Sequence, residues 1–415
     1  MSDVKISKKK IKKDNNVNFA VRAIIIFGII SLLGDMVYES ARGANSQYFE
    51  LIGISAAKVG LVFGIGEFLG YFLRLISGVI SDKSKKPWAF MFIGYGMLFF
   101  VPLMGFTQNW NVLFVLILME RIGKAIRNPS KDTVLSAVSE NQVGVGFAFG
   151  LQEALDQVGA FLGPLIFTAV FYFTGKNTLA EYSLGYKFLF IPFVLLMLFL
   201  YYSYRVISKG NLLGEEYGRE FKSEKLKPIF WMYMAFTFFA TLGFLNFSTL
   251  GYHMKSQNIL TDGKITLIYS VAMIVDALTA LIVGRLYDKL KEKSGKKNGG
   301  ILVLGAIPVV TLLLPFFGLT MSKSLIIVSM IIFGIIMGTH ETIMRSAIAD
   351  ITPFDKRGTG YGVFNTGYGL ALFLGATITG YLYDKNLNTV ILIMTVVCEI
   401  IAAIIFIKMK REIQK

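Results

Sequence analysis

Cysteine is almost missing from this chain: Cys398 is the only one in 415 residues, and it lies in an apolar run. A single thiol excludes a disulfide framework and a thiolate metal cluster. Histidine is nearly as rare, with two copies, and no H-E-x-x-H or C-x-x-C spacing occurs. Nothing therefore indicates a catalytic metal or a cofactor. The Lys-Ser-Gly295-Lys296-Lys297 stretch lacks both the leading glycine and the Ser/Thr of a phosphate-binding P-loop, which argues against direct ATP drive. No soluble-enzyme site is recognisable. Charge is scarce too: 17% of residues are charged against 54% hydrophobic, and the mean hydropathy is +0.60. A soluble protein of this size needs more polar surface, so a membrane protein is expected.

The charge that is present is mostly positive, with a formal net charge of +15. The basic residues flank apolar runs and are not interleaved with aromatics in one patch, so nucleic acid is not the expected partner. A spanning helix needs about 20 mostly apolar residues. Twelve runs approach that requirement: residues 19–38, 57–80, 88–106, 112–125, 145–173 and 184–204, then 229–252, 265–287, 301–319, 325–348, 360–383 and 389–409. The fold class is thus all-α, with two six-helix bundles over residues 19–204 and 228–409. Span four is short, because Glu120, Arg121, Lys124 and Arg127 interrupt it, and it can extend to Val138 as an amphipathic helix.

Residues 1–18 form a basic tail, and the run after them lacks a small-residue cleavage site. A retained first span is expected there, not a signal peptide. Residues 205–227 mix charges of both signs with Gly210, Gly214 and Gly218 and read as a linker; residues 410–415 form a second tail. Most lysines and arginines fall in the tails and the even-numbered loops, while the loops at 107–111 and 322–324 share one, Lys323. That asymmetry puts both termini in the cytoplasm and the chain, expected as a monomer, in the cytoplasmic membrane.

Two internal matches support a duplication. Gly78-Val-Ile-Ser-Asp82 precedes Lys83, Lys85 and Lys86, and Gly284-Arg-Leu-Tyr-Asp288 precedes Lys289, Lys291 and Lys293. Gly146, Gly150 and Gly163 around span five have the spacing of Gly358, Gly362 and Gly375 around span eleven. Small residues so spaced let helices approach closely in lipid, where packing replaces the hydrophobic effect. Parallel six-span repeats are one plan of secondary transporters. Asp82 and Asp288 are expected to cap or pair with a neighbouring helix end and form a cytoplasmic gate; a plain turn with a lysine rim is the other reading.

With those residues in hand, the chain after its tail resembles the major facilitator superfamily. The resemblance rests on the Gly78–Asp82 segment with its lysines, its repeat at Gly284–Asp288, and Gly159-Ala-Phe-Leu-Gly163-Pro164. The last stretch is similar to the G-x-x-x-G-P helix-packing motif on the fifth helix of drug/proton antiporters. Arg121 resembles the arginine of their fourth-helix motif, although the glycine expected four residues later is Ala125. Residues 33–42 and 120–132 are similar to an uncharacterised prokaryotic branch of the superfamily. The resemblance implies the fold and efflux, and it names no substrate.

Charges at the bilayer centre cost about 2.5–3.5 kcal/mol each on insertion scales and usually mark a pathway. Asp35 and Glu39 lie one turn apart near the outer end of span one, either lining a cavity or forming an interfacial cluster in water. Glu67 and Arg74 share a face of span two with Tyr71, and an ion pair to another helix would fix packing between the halves. Glu120, Lys124 and Arg127 align on span four with Arg121 beside them; either Arg121 tunes a carboxylate, or an internal Glu120–Lys124 pair and ordinary anchoring explain the set. Glu153 and Asp156 are one turn apart in span five. Two carboxylates there do not both ionise easily, as a proton-coupled carrier requires, unless Arg121 or Arg74 pairs with them for packing. In the second half, Asp276, His340 and Glu341 are sparser, and Glu341 can be neutralised by Arg345. Asn246 and Asn365 can hydrogen-bond a substrate or another helix equally well.

The expected function is alternating-access transport of a small solute, with proton-coupled efflux carried by Asp35, Glu153 and Asp156 and with Arg121 as charge partner. A facilitator or importer of a nutrient or metal cation is the first alternative, and a non-transporting scaffold or sensor the second.

Overall fold

The computed structural model describes the backbone of residues 2–139, 145–208, 226–295, 298–352 and 357–414, and the side chains of these except at 2–20, 82, 136–139, 145–150, 208, 344–346, 349, 357–359 and 414. Most of the linker and the side chains of Asp82 and Arg345 therefore lie outside the described residues.

Among the described residues helix is the only regular element. Six spans make the first half: Ser2–Leu51, Ala56–Ser84, Pro87–Phe106, Trp110–Ser139, Val145–Thr174 and Leu179–Ile207. Six more follow: Pro228–Ser256, Asp262–Ser294, Gly299–Gly318, Lys323–Ile351, Arg357–Asp384 and Asn388–Gln414. Local chemistry sets the turns. Ser55 caps span two, and Lys85 closes it in the left-handed region at φ 52° before Pro87 opens span three. A Thr178–Glu181 capping box starts span six, and Gly295 at φ 63° ends span eight.

Span one departs from expectation. It continues as helix to Leu51, well past residue 38. Its polar residues there are buried in the bundle: the Tyr186 hydroxyl donates to Asn45 Oδ1 at 2.5 Å, and Gln47 is fully buried. Polarity in this stretch marks contact with protein, not exit from the membrane. Asp35 and Glu39 consequently lie mid-span, not near its outer end. Span seven departs in the other direction: it is broken between Leu242 and Phe247.

The duplication shows in the packing. A side chain on Gly163 would press on the Met36 carbonyl of span one, and one on Gly375 on the Leu242 carbonyl of span seven. Gly159 lies just as close to Leu32, and span five packs on span one through both glycines before Pro164.

The halves meet through spans two and eleven and through spans five and eight. Contact is closest at the end away from the basic loops. There a Cβ on Gly60 would collide with the Ala376 carbonyl, and the Thr168 and Thr266 hydroxyls lie 2.8 Å apart. The Asp384 carboxylate of span eleven accepts from the Ala56 and Ala57 N–H groups at 2.8 and 2.9 Å, tying the first turn of span two to the other half. A carboxylate on free N–H groups at a helix start is a favoured pairing.

Candidate functional site

Between the halves lies a cavity of about 200 Å³. One stripe of span one faces it: Asp35, Tyr38, Glu39 and Arg42, the positions that 3.6-residue periodicity brings together. Span two adds Glu67, Tyr71 and Arg74; span four adds Arg121, Lys124, Arg127 and Lys131; span five adds Gln152, Glu153 and Asp156. The second half presents a different surface, with Phe244, Met273, Met337, Tyr368 and Leu372 around Asn246 and Glu341. One wall is charged and the facing wall is largely apolar. The cavity extends toward the basic end, where its lining residues Asp132 and Glu153 are exposed.

Two charge groups organise the first wall. Deep in it, Arg121 pairs with Glu67 at 3.1 Å and Glu120 at 3.5 Å, and it also donates to the Tyr38 hydroxyl. Lys124 sits 3.8 Å from the centre of the Tyr38 ring, a cation–π contact. Nearer the basic end, Lys131 lies 3.9 Å from Asp156 and donates to Ser31 at 3.1 Å, while Gln152 donates to Asp156 at 3.5 Å. Asp35 is within electrostatic reach of Asp156, Lys124, Glu39 and Lys131. Glu39 lies 3.4 Å from Arg42, and it accepts from the Tyr269 hydroxyl of span eight at 2.6 Å, a bond that crosses between the halves.

Several expectations need correction. Arg121 partners Glu67 and Glu120, not the carboxylates proposed as proton carriers; Lys131 holds Asp156 in its place. The Glu67 pair stays within the first half, because the Arg121 side chain reaches span two before it can reach the other bundle. No internal Glu120–Lys124 pair forms, since Lys124 turns onto Tyr38; Glu120 lines a small recess beside the main cavity. Asp276, His340 and Asn365 are not among the cavity-lining residues. Asp276 is buried against Gly338 of span ten, and His340 is buried between the Phe244 and Tyr368 rings. One residue of helix rotation, about 100°, separates His340 from the cavity-facing Glu341. At the basic end Gly78 packs against Pro129 and Gly284 against Thr342, Asp288 is exposed, and among the described residues Lys291 pairs with Asp350 at 2.8 Å within the second half.

Sequence reasoning missed Tyr38, Lys131, Gln152 and Asp384. Tyr38 and Lys131 carried a signal, since each falls on the same helical stripe as charges already singled out. Asp384 carried none: its role depends on a partner 328 residues away in the chain.

This helical architecture, with its polar cavity between two repeats, agrees with the family comparison. The Major Facilitator Superfamily pattern matches residues 17–376, and again 302–413. The chain belongs to the Major Facilitator Superfamily. It is a multi-pass membrane transporter of that superfamily, not an enzyme. An uncharacterised protein of Mycobacterium tuberculosis is 32% identical over 383 residues, covering 90% of each chain. An uncharacterised MFS-type transporter of Methanocaldococcus jannaschii is 26% identical over 391 residues, covering 91% of this chain and 93% of its own. Among solved structures, a POT family transporter in complex with a thioalcohol-conjugated peptide aligns with a TM-score of 0.73 at 14% identity, over 95% of this chain and 97% of its own. The nucleoside transporter NupG aligns with a TM-score of 0.66 at 17% identity, over 94% of this chain and 99% of its own. The superfamily fold thus serves peptides and nucleosides alike in those proteins, and it does not select a cargo.

Proposed function

We propose that this chain is a proton-coupled secondary transporter that exports a small amphipathic solute across the cytoplasmic membrane. The observation that carries the reading is the cavity's asymmetry: a wall of paired charges faces a wall of aromatic and aliphatic side chains. A solute with a charged or zwitterionic head and an apolar body matches both. A volume of about 200 Å³ lies below the roughly 300–1,000 Å³ of drug-sized sites, which favours a metabolite-sized cargo.

In this reading Asp156 and Asp35 are the proton-carrying groups. Protonation of Asp156 releases Lys131, which then pairs with Asp35 or with an anionic solute, so that proton and solute compete for one set of charges. Glu153 stands at the mouth, and Arg121 fixes Glu67 and Tyr38 as a rigid floor. The two bundles rock about the cavity, which the tight contacts at the Asp384 end close on that side. With the basic loops in the cytoplasm, this is the inward-facing state.

The test begins with ligand-induced thermal stabilisation of the purified protein at two pH values, to find a solute. Proteoliposomes carrying a pH-sensitive dye then report whether that solute moves protons in exchange. Asp156→Asn is expected to abolish exchange while leaving the elution profile and melting temperature unchanged. Exchange at the wild-type rate would remove Asp156 from the mechanism, and counterflow with no proton movement would favour the facilitator reading.

A further inference from the structure

Span twelve contains the most apolar window of the chain, with a mean hydropathy of 3.0, yet it carries Glu399. That residue is 1% exposed, and neither of its carboxylate oxygens has a hydrogen-bond partner among the described residues. It faces the break in span seven: Oε1 lies 2.8 Å from the point that a Cβ on Gly243 would occupy, with Cys398 Cβ at 3.0 Å. One turn earlier, the Thr395 hydroxyl donates to the Gly243 carbonyl at 3.0 Å. Spans seven and nine pack on span twelve, and they hold the buried hydroxyls of Thr241 and Thr311, also without partners among the described residues. Cys398 is the ionisable group beside Glu399, and among the described residues no basic side chain forms an ion pair with it.

A bare carboxylate inside an apolar bundle is too costly to persist, so Glu399 must carry a proton or a cation. A broken span takes carbonyls of its last turn out of the regular ladder, and transporters use such carbonyls around coupling ions. Here Phe239 and Thr241 still accept from the Gly243 and Phe244 N–H groups. On the far side of the same break, Phe244 and Asn246 line the central cavity. One short segment therefore touches both the buried carboxylate and the solute site.

We propose that Glu399 and the span-seven break form a second coupling-ion site, which takes one monovalent cation, a proton or Na⁺, and transmits its occupancy through Gly243 to Phe244 and Asn246. The proposal rests on the transport reading for its purpose but not for its binding chemistry. It is also separate from Asp35 and Asp156.

The test uses the full chain in lipid and dicyclohexylcarbodiimide, which attacks protonated carboxyls in apolar surroundings, with peptide mass mapping as the readout. Glu399 is expected to be modified, and rising pH in KCl is expected to suppress the reaction. If Na⁺ is the ion, NaCl in place of KCl at about ten times the dissociation constant slows modification about tenfold by mass action. If the proton is the ion, NaCl has no effect. Asn246→Cys in a Cys398→Ser background reports transmission: its alkylation rate should follow the same pH or Na⁺ dependence and become flat when Glu399→Gln is added. Asp156→Asn should leave Glu399 modification unchanged, so a failure of the proton-carrier reading does not disturb this result. An unmodified Glu399 across the pH and salt series overturns the site. Modification without any response at Asn246→Cys overturns the transmission, as does the same response persisting in Glu399→Gln.

Discussion

Arg121 and Lys131 occupy the same helix and face the same cavity, yet their surroundings assign them different tasks. Arg121 is almost fully buried and binds two carboxylates and a tyrosine hydroxyl at once. A guanidinium fork held in this way is a fixed part of the frame. Removing it strands Glu67 and Glu120, and breaking a buried pair from one side costs about 3–5 kcal/mol. Arg121→Gln should therefore lower the melting temperature in detergent sharply, and adding Glu67→Gln should recover part of the loss; additive losses would show that the pair is not coupled. Lys131 is held more loosely, 3.9 Å from Asp156, which suits the proposed cycle in which it releases that carboxylate. Lys131→Met should leave the fold intact and shift the pH dependence of transport, whereas an unchanged pH profile in proteoliposomes would separate Lys131 from coupling. At this scale the sequence was legible wherever charges shared a stripe. Asp35, Glu39, Glu67, Glu153, Asp156 and Glu341 all face the cavity, because helical periodicity is local. The pairings were not legible, because Arg121 and Lys131 choose partners by three-dimensional reach.

The helices place those residues, and their contacts decide which end of the cavity is shut. Spans two and eleven touch backbone to backbone at Gly60 and Ala376, and Asp384 bonds the first N–H groups of span two. A capping carboxylate contributes about 0.5–2 kcal/mol. Losing about 1 kcal/mol shifts a two-state equilibrium about fivefold. Asp384→Ala should thus raise the alkylation of Thr266→Cys from the opened side by that order, and an unaltered rate would show that the bond does not hold the end shut. Gly60→Val is predicted to block closure outright and to stop transport with the protein still folded, since the neighbouring group is backbone and cannot yield; normal turnover would contradict the close approach. The spans themselves were readable from hydropathy and length. The extension of span one and the break in span seven were not. The first hides because its polar residues Asn45, Ser46 and Gln47 are buried against protein and not placed at a membrane surface. The second hides because Gly243 looks ordinary in an apolar run and Asn246 reads as a polar side chain and not as a break. Glu399 escaped notice for a related reason, as a single carboxylate averaged away in the most apolar window.

Across the whole molecule, two similar bundles have been given unequal work. The glycine contacts of span five on span one recur in span eleven on span seven, so the frame is doubled. The cavity charges are concentrated in the first half, and the second half supplies the apolar wall. In the proposed cycle, such a division assigns protons to one bundle and the body of the solute to the other. The cavity opens alternately to the two sides in that proposed transport cycle. Asn246→Cys in a Cys398→Ser background tests it most directly in sealed, oriented vesicles, using a membrane-impermeant thiol reagent supplied to one side at a time. Fast reaction is expected from the side of the basic loops and slower reaction from the other. A disulfide between Thr168→Cys and Thr266→Cys should abolish only the slower one, reversibly with reductant. Reaction from one side alone, indifferent to the cross-link, would contradict alternating access and favour a static scaffold.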